Sequence, residues 1–139
     1  MEEVEVNTET GDVRVLKMTT AVDAGPIINP QAVEGQLEGG MDQGIGFALR
    51  EEYVHGKTDD WRTFKFPTIE MMPEVEVMFQ ETPRPNGTLG ATGIGEMTMI
   101  STAPSITNAI YHACGVRINH LPATADKVKE GLAEIDKDS

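Results

Sequence analysis

The stretch best suited to chemistry is Gly90–Met97, "GATGIGEM", in which Gly90, Gly93 and Gly95 lead into the carboxylate of Glu96. A glycine-rich turn lets backbone N–H groups approach a ligand unobstructed by Cβ atoms. Phosphate is a poor fit, because the Glu96 charge would repel it. The dinucleotide fingerprint G-x-G-x-x-G fails where Thr98 stands at the third glycine, and a P-loop's Gly-Lys-Ser or Gly-Lys-Thr is absent. With no bulky neighbours, Glu96 could reach a reacting centre beside a large planar or dinucleotide ligand, as a general base if burial raised its pKa toward neutrality. Spacing alone favours the plainer reading of an ordinary loop glutamate.

The remaining reactive groups are sparse. His55, His112, His120 and Cys114 are the only soft metal ligands. His112 and Cys114, two apart on a helix, point to different faces, so they read as a surface or capping histidine and a small buried thiol rather than a zinc site. No Gly-x-Ser-x-Gly elbow or nucleophile pair occurs.

Composition narrows the class. With 23 acidic against 11 basic residues and a net charge of −12, the chain lacks the basic patch that nucleic acid demands. Acidic residues crowd both ends, in Glu2, Glu3, Glu5, Glu130, Glu134, Asp136 and Asp138, and read as solvated tails. The single cysteine suits a reducing compartment, and neither a signal peptide nor a long apolar run is present, so a cytoplasmic protein with no membrane contact is expected. At 139 residues the chain is expected to form one domain, residues 1–139.

These groups must be positioned by an α+β arrangement. Alternating Val4 and Val6, then Val13 and Val15, with "NTETGD" between them, predict a β-hairpin. Gly25-Pro26 and Asn29-Pro30 then break the chain. From Pro30 a helix is expected, with Val33, Leu37, Met41, Ile45 and Leu49 on one face. Gly35, Gly39, Gly40, Gly44 and Gly46 lie inside it and would weaken an isolated helix by about 1 kcal/mol each, so close packing or a nearby cofactor must compensate. "WRTFKF" reads as a short strand with Trp61 and Phe64 inward, and Pro67 and Pro73 bracket an extended linker. "EVEVMFQE" is a strand with Val75, Val77 and Phe79 on one face. A long Pro- and Gly-rich loop follows. Ser101 or Thr102 is placed to cap a helix bearing Ile106, Ala109, Ile110 and Ala113 and stopped by Gly115, and a last helix spans Ala125 to Ile135 with Val128, Leu132 and Ile135 as its seam.

Taken together, "EVEVNTETGDVRVLKMTTAVDAGPIINP", "VEGQLEGGMDQGIGFALREE" and "GATGIGEMTMISTAPSITNAIYHACGVRI" resemble, in order and spacing, the C-terminal end of the molybdenum-binding subunit of the xanthine dehydrogenase and aldehyde oxidase family. The resemblance implies a molybdopterin cofactor, with Glu96 as the base in oxidative hydroxylation of a heterocycle or aldehyde. It implies that Gln43 lies near the molybdenum centre, and that Gly44, Gly90, Gly93 and Gly95 lie around the pterin.

Three departures from the family pattern stand out. Met97-Thr98 replaces a common Pro-Pro, Thr92 stands where Lys, Arg or Ser is frequent, and Val22 and Pro26 replace a frequent His and Arg. A complete subunit is several times longer, so the chain reads as a small subunit or excised fragment that acts only with the remaining molybdenum-binding subunit, iron-sulfur and FAD subunits and a small-molecule substrate. Its rival is a non-catalytic interaction module that kept the fold.

Overall fold

The computed structural model describes residues 1–137, and Asp138, expected in the acidic tail, lies outside the described residues. The chain opens with the predicted hairpin, β1 (Glu2–Val6) and β2 (Val13–Asp23), paired antiparallel. Its turn is held locally: the Asn7 side chain accepts from the Glu9 and Thr10 backbone, and Gly11 takes φ +82°. A bulge falls between Glu3 and Val4. It offsets the alternation of β2, so that Val15 and Met18, three apart, are both buried.

Helix α1 (Pro30–Leu49) starts where Asn29 accepts a hydrogen bond from the Ala32 N–H and Pro30 fills the first turn. It buries Leu37, Met41, Ile45 and Leu49 as the spacing predicts. Next comes a correction: residues 61–64 form a helical turn, α2 (Trp61–Phe64), instead of a strand. Asp60 accepts from the Arg62 and Thr63 N–H groups and Thr63 reciprocates, so a capping box outweighs the β preference of Trp, Thr and Phe. Trp61 is 75% exposed rather than inward. The expected linker likewise contains a 3-10 turn, Ile69–Met71.

Strand β3 (Glu74–Gln80) pairs parallel with β2, from Lys17 opposite Glu74 to Asp23 opposite Gln80, giving the order β1-β2-β3. After the glycine loop come α3 (Met97–Ile100), α4 (Thr102–Cys114) and α5 (Ala125–Lys137). Gly115 ends α4 at φ +80°, as expected. The capping expectation fails, however: Ser101 is itself in helical conformation and makes no side-chain cap, because α3 feeds a helical turn directly into α4. The buried face of α4 is Ala103, Ile106 and Ile110, whereas Ala113 is exposed.

The core joins one sheet face to these helices. Met18, Leu37, Ile45, Ile106, Ile110 and Val128 are its largest fully buried apolar side chains. Each contributes roughly 1.5–3 kcal/mol by leaving water.

Candidate functional site

The parallel register puts the carboxyl ends of β2 and β3 side by side, so the chain leaves the sheet twice at one edge. Asp23 sits at that exit. Its Oδ1 accepts from the Gly25 N–H at 3.1 Å and from the Thr82 N–H at 3.0 Å, and Arg84 Nη2 donates to the Asp23 carbonyl at 3.0 Å while lying 3.5 Å from Oδ2. Hydrogen bonds from Thr82, then from the Gly25 backbone, with a lesser contribution from the Arg84 charge, hold the Asp23 carboxyl below its ordinary value.

From this clamp the glycine loop is tied down. The Arg84 N–H donates to the Gly90 carbonyl at 2.8 Å, and the Thr92 N–H donates to the Ala24 carbonyl at 2.9 Å. Gly25, at φ +71°, lies so close to Gly90 that a Cβ there would overlap the Gly90 carbonyl oxygen. Gly90 itself turns the loop at φ +81°.

The far end of the loop is fixed by Thr98. Its hydroxyl donates to the Gly95 carbonyl at 3.2 Å, and its side chain fills the space above Gly40 on α1. Thr102 fills the space above Gly44 in the same way. Between the two anchors, Gly93 and Gly95 have no atoms near their missing Cβ positions, while Ile94 lines a cleft of about 250 Å³ with Pro26, Ile27, Ala32 and Val33.

Glu96 follows directly and is exposed, with its side chain making no helix cap. Gln43 is exposed on α1, within a turn of Gly40, and Gly44 is buried under Thr102. Helix packing thus accounts for Gly40 and Gly44, and Gly46 is occupied by Glu51 and Pro67. Gly35 and Gly39 face open space, and nothing among the described residues compensates their helix cost.

Asp23 and Arg84 were not singled out from the sequence, and Thr98 entered it only as a departure from expected motifs. An Asp two residues before a Gly is an Asx-turn signal that could have marked Asp23. Nothing local marks Arg84, which reaches Asp23 across 61 positions. Elsewhere, burial raises the pKa of Asp42 and, more than the nearby Asp42 charge, that of Glu51. Glu51 Oε1 and Arg50 Nε are buried without a hydrogen-bond partner. Among the described residues no group of three or more His, Cys, Asp or Glu side chains could hold a metal ion.

Comparison with known proteins gives the setting. Residues 1–73 match a family described as "Molybdopterin cofactor-binding domain". The chain is 41% identical over 134 residues to the aldehyde oxidoreductase of Megalodesulfovibrio gigas, covering 95% of this chain and 15% of that protein. It is 33% identical over 140 residues to the aldehyde oxidoreductase molybdenum-binding subunit PaoC of Escherichia coli K12, covering 96% of this chain and 19% of that one. The solved aldehyde oxidoreductase of Desulfovibrio desulfuricans superposes with a TM-score of 0.90 at 42% identity, over 92% of this chain and 14% of that chain. The chain therefore spans less than a fifth of the length of each of these relatives.

Proposed function

This chain belongs to the molybdopterin cofactor-binding domain family, and from that premise we propose that it is the C-terminal portion of a molybdenum-binding subunit, folded as one domain, in which Glu96 is the general base for oxidative hydroxylation of a heterocycle or aldehyde. The observation that carries this reading is a carboxylate on a glycine loop anchored on both sides, by Thr92 on Ala24 and by Thr98 in the Gly40 notch, yet open at Gly93 and Gly95.

The open glycines and the chemistry of Gln43 fit a large polar cofactor. Backbone groups of Gly93 and Gly95 can be approached without steric hindrance, and the Gln43 amide offers both donors and an acceptor. Gly90 and Gly44 serve the same site by turning the loop and by letting α4 close against α1. When bound, the molybdenum cofactor supplies the two-electron acceptor and the oxygen-transfer centre.

What the chain itself contributes is a proton acceptor. A carboxylate oxygen of Glu96 takes a proton as the nucleophile attacks, and the flanking glycines leave room for substrate beside it. Exclusion of water from the site is assigned to segments outside this chain, since Glu96 is exposed here.

Those segments have surfaces to cover. Ile28, Phe47, Tyr53, Trp61, Ile69 and Ile100 are each more than half exposed, more large apolar surface than a self-sufficient small domain needs. The partners proposed are the remaining molybdenum-binding segments, with iron-sulfur and FAD subunits to carry electrons away.

The deciding experiment is Glu96→Gln in the assembled enzyme. Loss of turnover by about a hundredfold or more, with molybdenum content retained, supports the base assignment. Near-normal turnover refutes it.

A further inference from the structure

Glu96 stands just before α3, whose Thr98 rests on α1 at Gly40 and fixes the downstream end of the glycine loop, so the upstream end needs an anchor of its own. The hydrogen bonds at the upstream end of the loop cluster around Asp23. Asp23 gathers Gly25, Thr82 and Arg84; Arg84 in turn takes the Gly90 carbonyl through its own N–H; and Ala24, the residue after Asp23, holds the Thr92 N–H. A second carboxylate works alongside, since Glu81 Oε2 accepts from the Ile27 N–H at 2.8 Å and joins the same two exits.

We infer that Asp23 and Arg84 are positioning residues for Glu96: they lock the exits of β2 and β3 together and thereby fix the upstream anchor of the loop that carries the base. This rests on the reading of Glu96 as the base. The physical case is one of span. Thr92, held by Ala24, and Thr98, held above Gly40, bracket residues 93–97 between two anchors. With the upstream anchor released, Gly93 and Gly95 allow the carboxylate to wander, because glycine imposes almost no backbone preference. A displacement on the order of 1 Å at a reacting group can cost about a hundredfold in rate.

Asp23 also has the chemistry that such a clamp needs. One carboxylate oxygen receives two backbone N–H groups from separate segments, an arrangement that an Asn carbonyl oxygen can largely keep and an Ala cannot. Arg84 meets it from the opposite strand exit, and its guanidinium contacts both the Asp23 side chain and the Asp23 backbone.

The test compares Asp23→Ala, Asp23→Asn and Arg84→Met with Glu96→Gln, in the isolated chain and in the assembled enzyme with benzaldehyde and hypoxanthine as probes. In the isolated chain, Asp23→Ala is expected to speed amide deuterium exchange by about tenfold or more across residues 90–95, with exchange in α4 unchanged. In the enzyme it is expected to lower kcat by about tenfold to a hundredfold with KM within about threefold and molybdenum content unchanged, while Asp23→Asn restores most of the rate and Arg84→Met falls between. In a Glu96→Gln background, Asp23→Ala is expected to add little further loss, because the group it aims is already gone.

Unchanged exchange in residues 90–95, or a full multiplicative loss in the Glu96→Gln background, overturns the inference. So does wild-type kcat in Asp23→Ala when Glu96→Gln is inactive. Near-normal turnover of Glu96→Gln is a different failure: it removes the base assignment, and with it the object of the positioning.

Discussion

Gly40 and Thr98 are fitted to one another: the Thr98 side chain occupies the space that a Cβ on Gly40 would need, and its hydroxyl reaches the Gly95 carbonyl at 3.2 Å. One residue thereby joins the middle of α1 to the turn immediately before Glu96. Thr98 is also half of the Met97-Thr98 pair that departs from the family's frequent Pro-Pro, so here a packed, hydrogen-bonded threonine restrains the exit of the glycine loop.

The helix glycines should divide into two classes. Gly40→Ala and Gly44→Ala, which collide with Thr98 and Thr102, are expected to destabilise the isolated chain by roughly 1–3 kcal/mol. Gly35→Ala and Gly39→Ala meet nothing and should stabilise it by up to about 1 kcal/mol each. Urea midpoints of the four variants check this; equal effects at Gly39 and Gly40 would contradict it.

Glu51 should make the chain less stable as pH rises. Its pKa is raised from 4.5, first by burial and then by Asp42, so its folded form favours the proton. The associated stability is present below that ordinary value and is lost as pH rises through the raised one. Glu51→Gln is therefore expected to raise the melting temperature near pH 7 and to leave it unchanged near pH 3, in paired thermal melts.

Asp23 should behave with the opposite sign. Its pKa is lowered from 3.8, so the clamp's contribution is present above that value and is lost as pH falls through the depressed one. The Thr82 amide proton shift, followed by NMR during acidification, should titrate with a midpoint below 3.8, and Asp23→Asn should abolish that step.

Core and surface isoleucines should separate stability from assembly. Ile110 is 0% exposed, so Ile110→Ala is expected to cost about 2–5 kcal/mol in the isolated chain. Ile100 is 71% exposed, and Ile100→Ser should change stability by less than about 0.5 kcal/mol while weakening association with the remaining molybdenum-binding segments. Denaturation midpoints and co-purification yields read the two effects separately.

By itself the chain should hold no molybdopterin tightly and show no turnover, since Glu96 and Gln43 lie on an open surface. Metal analysis of the purified chain gives the check. Stoichiometric molybdenum with measurable hydroxylation would be the contrary result.

The amino-acid sequence by itself determined the parts governed by near neighbours. The hairpin follows from valine alternation around the NTETGD turn, α1 from the Asn29-Pro30 break and apolar spacing, β3 from strict alternation, and the end of α4 from Gly115. It also marked the Glu96 loop, because glycines before a carboxylate are visible in any alignment of letters with chemistry. Local reading erred at residues 61–64, where a capping box prevailed over strand-forming side chains, and at Ser101, where a preceding helical turn left nothing to cap.

Only the tertiary structure decided which glycines are filled and which are open, and what holds the loop in place. Gly40 and Gly39 are adjacent letters with identical propensity, yet one faces Thr98 and the other faces open space. Asp23 meets Thr82 across 59 positions solely because β3 lies parallel to β2, with their carboxyl ends together. Such pairings depend on how distant segments close against one another, and a pattern confined to a few residues contains no term for that closure.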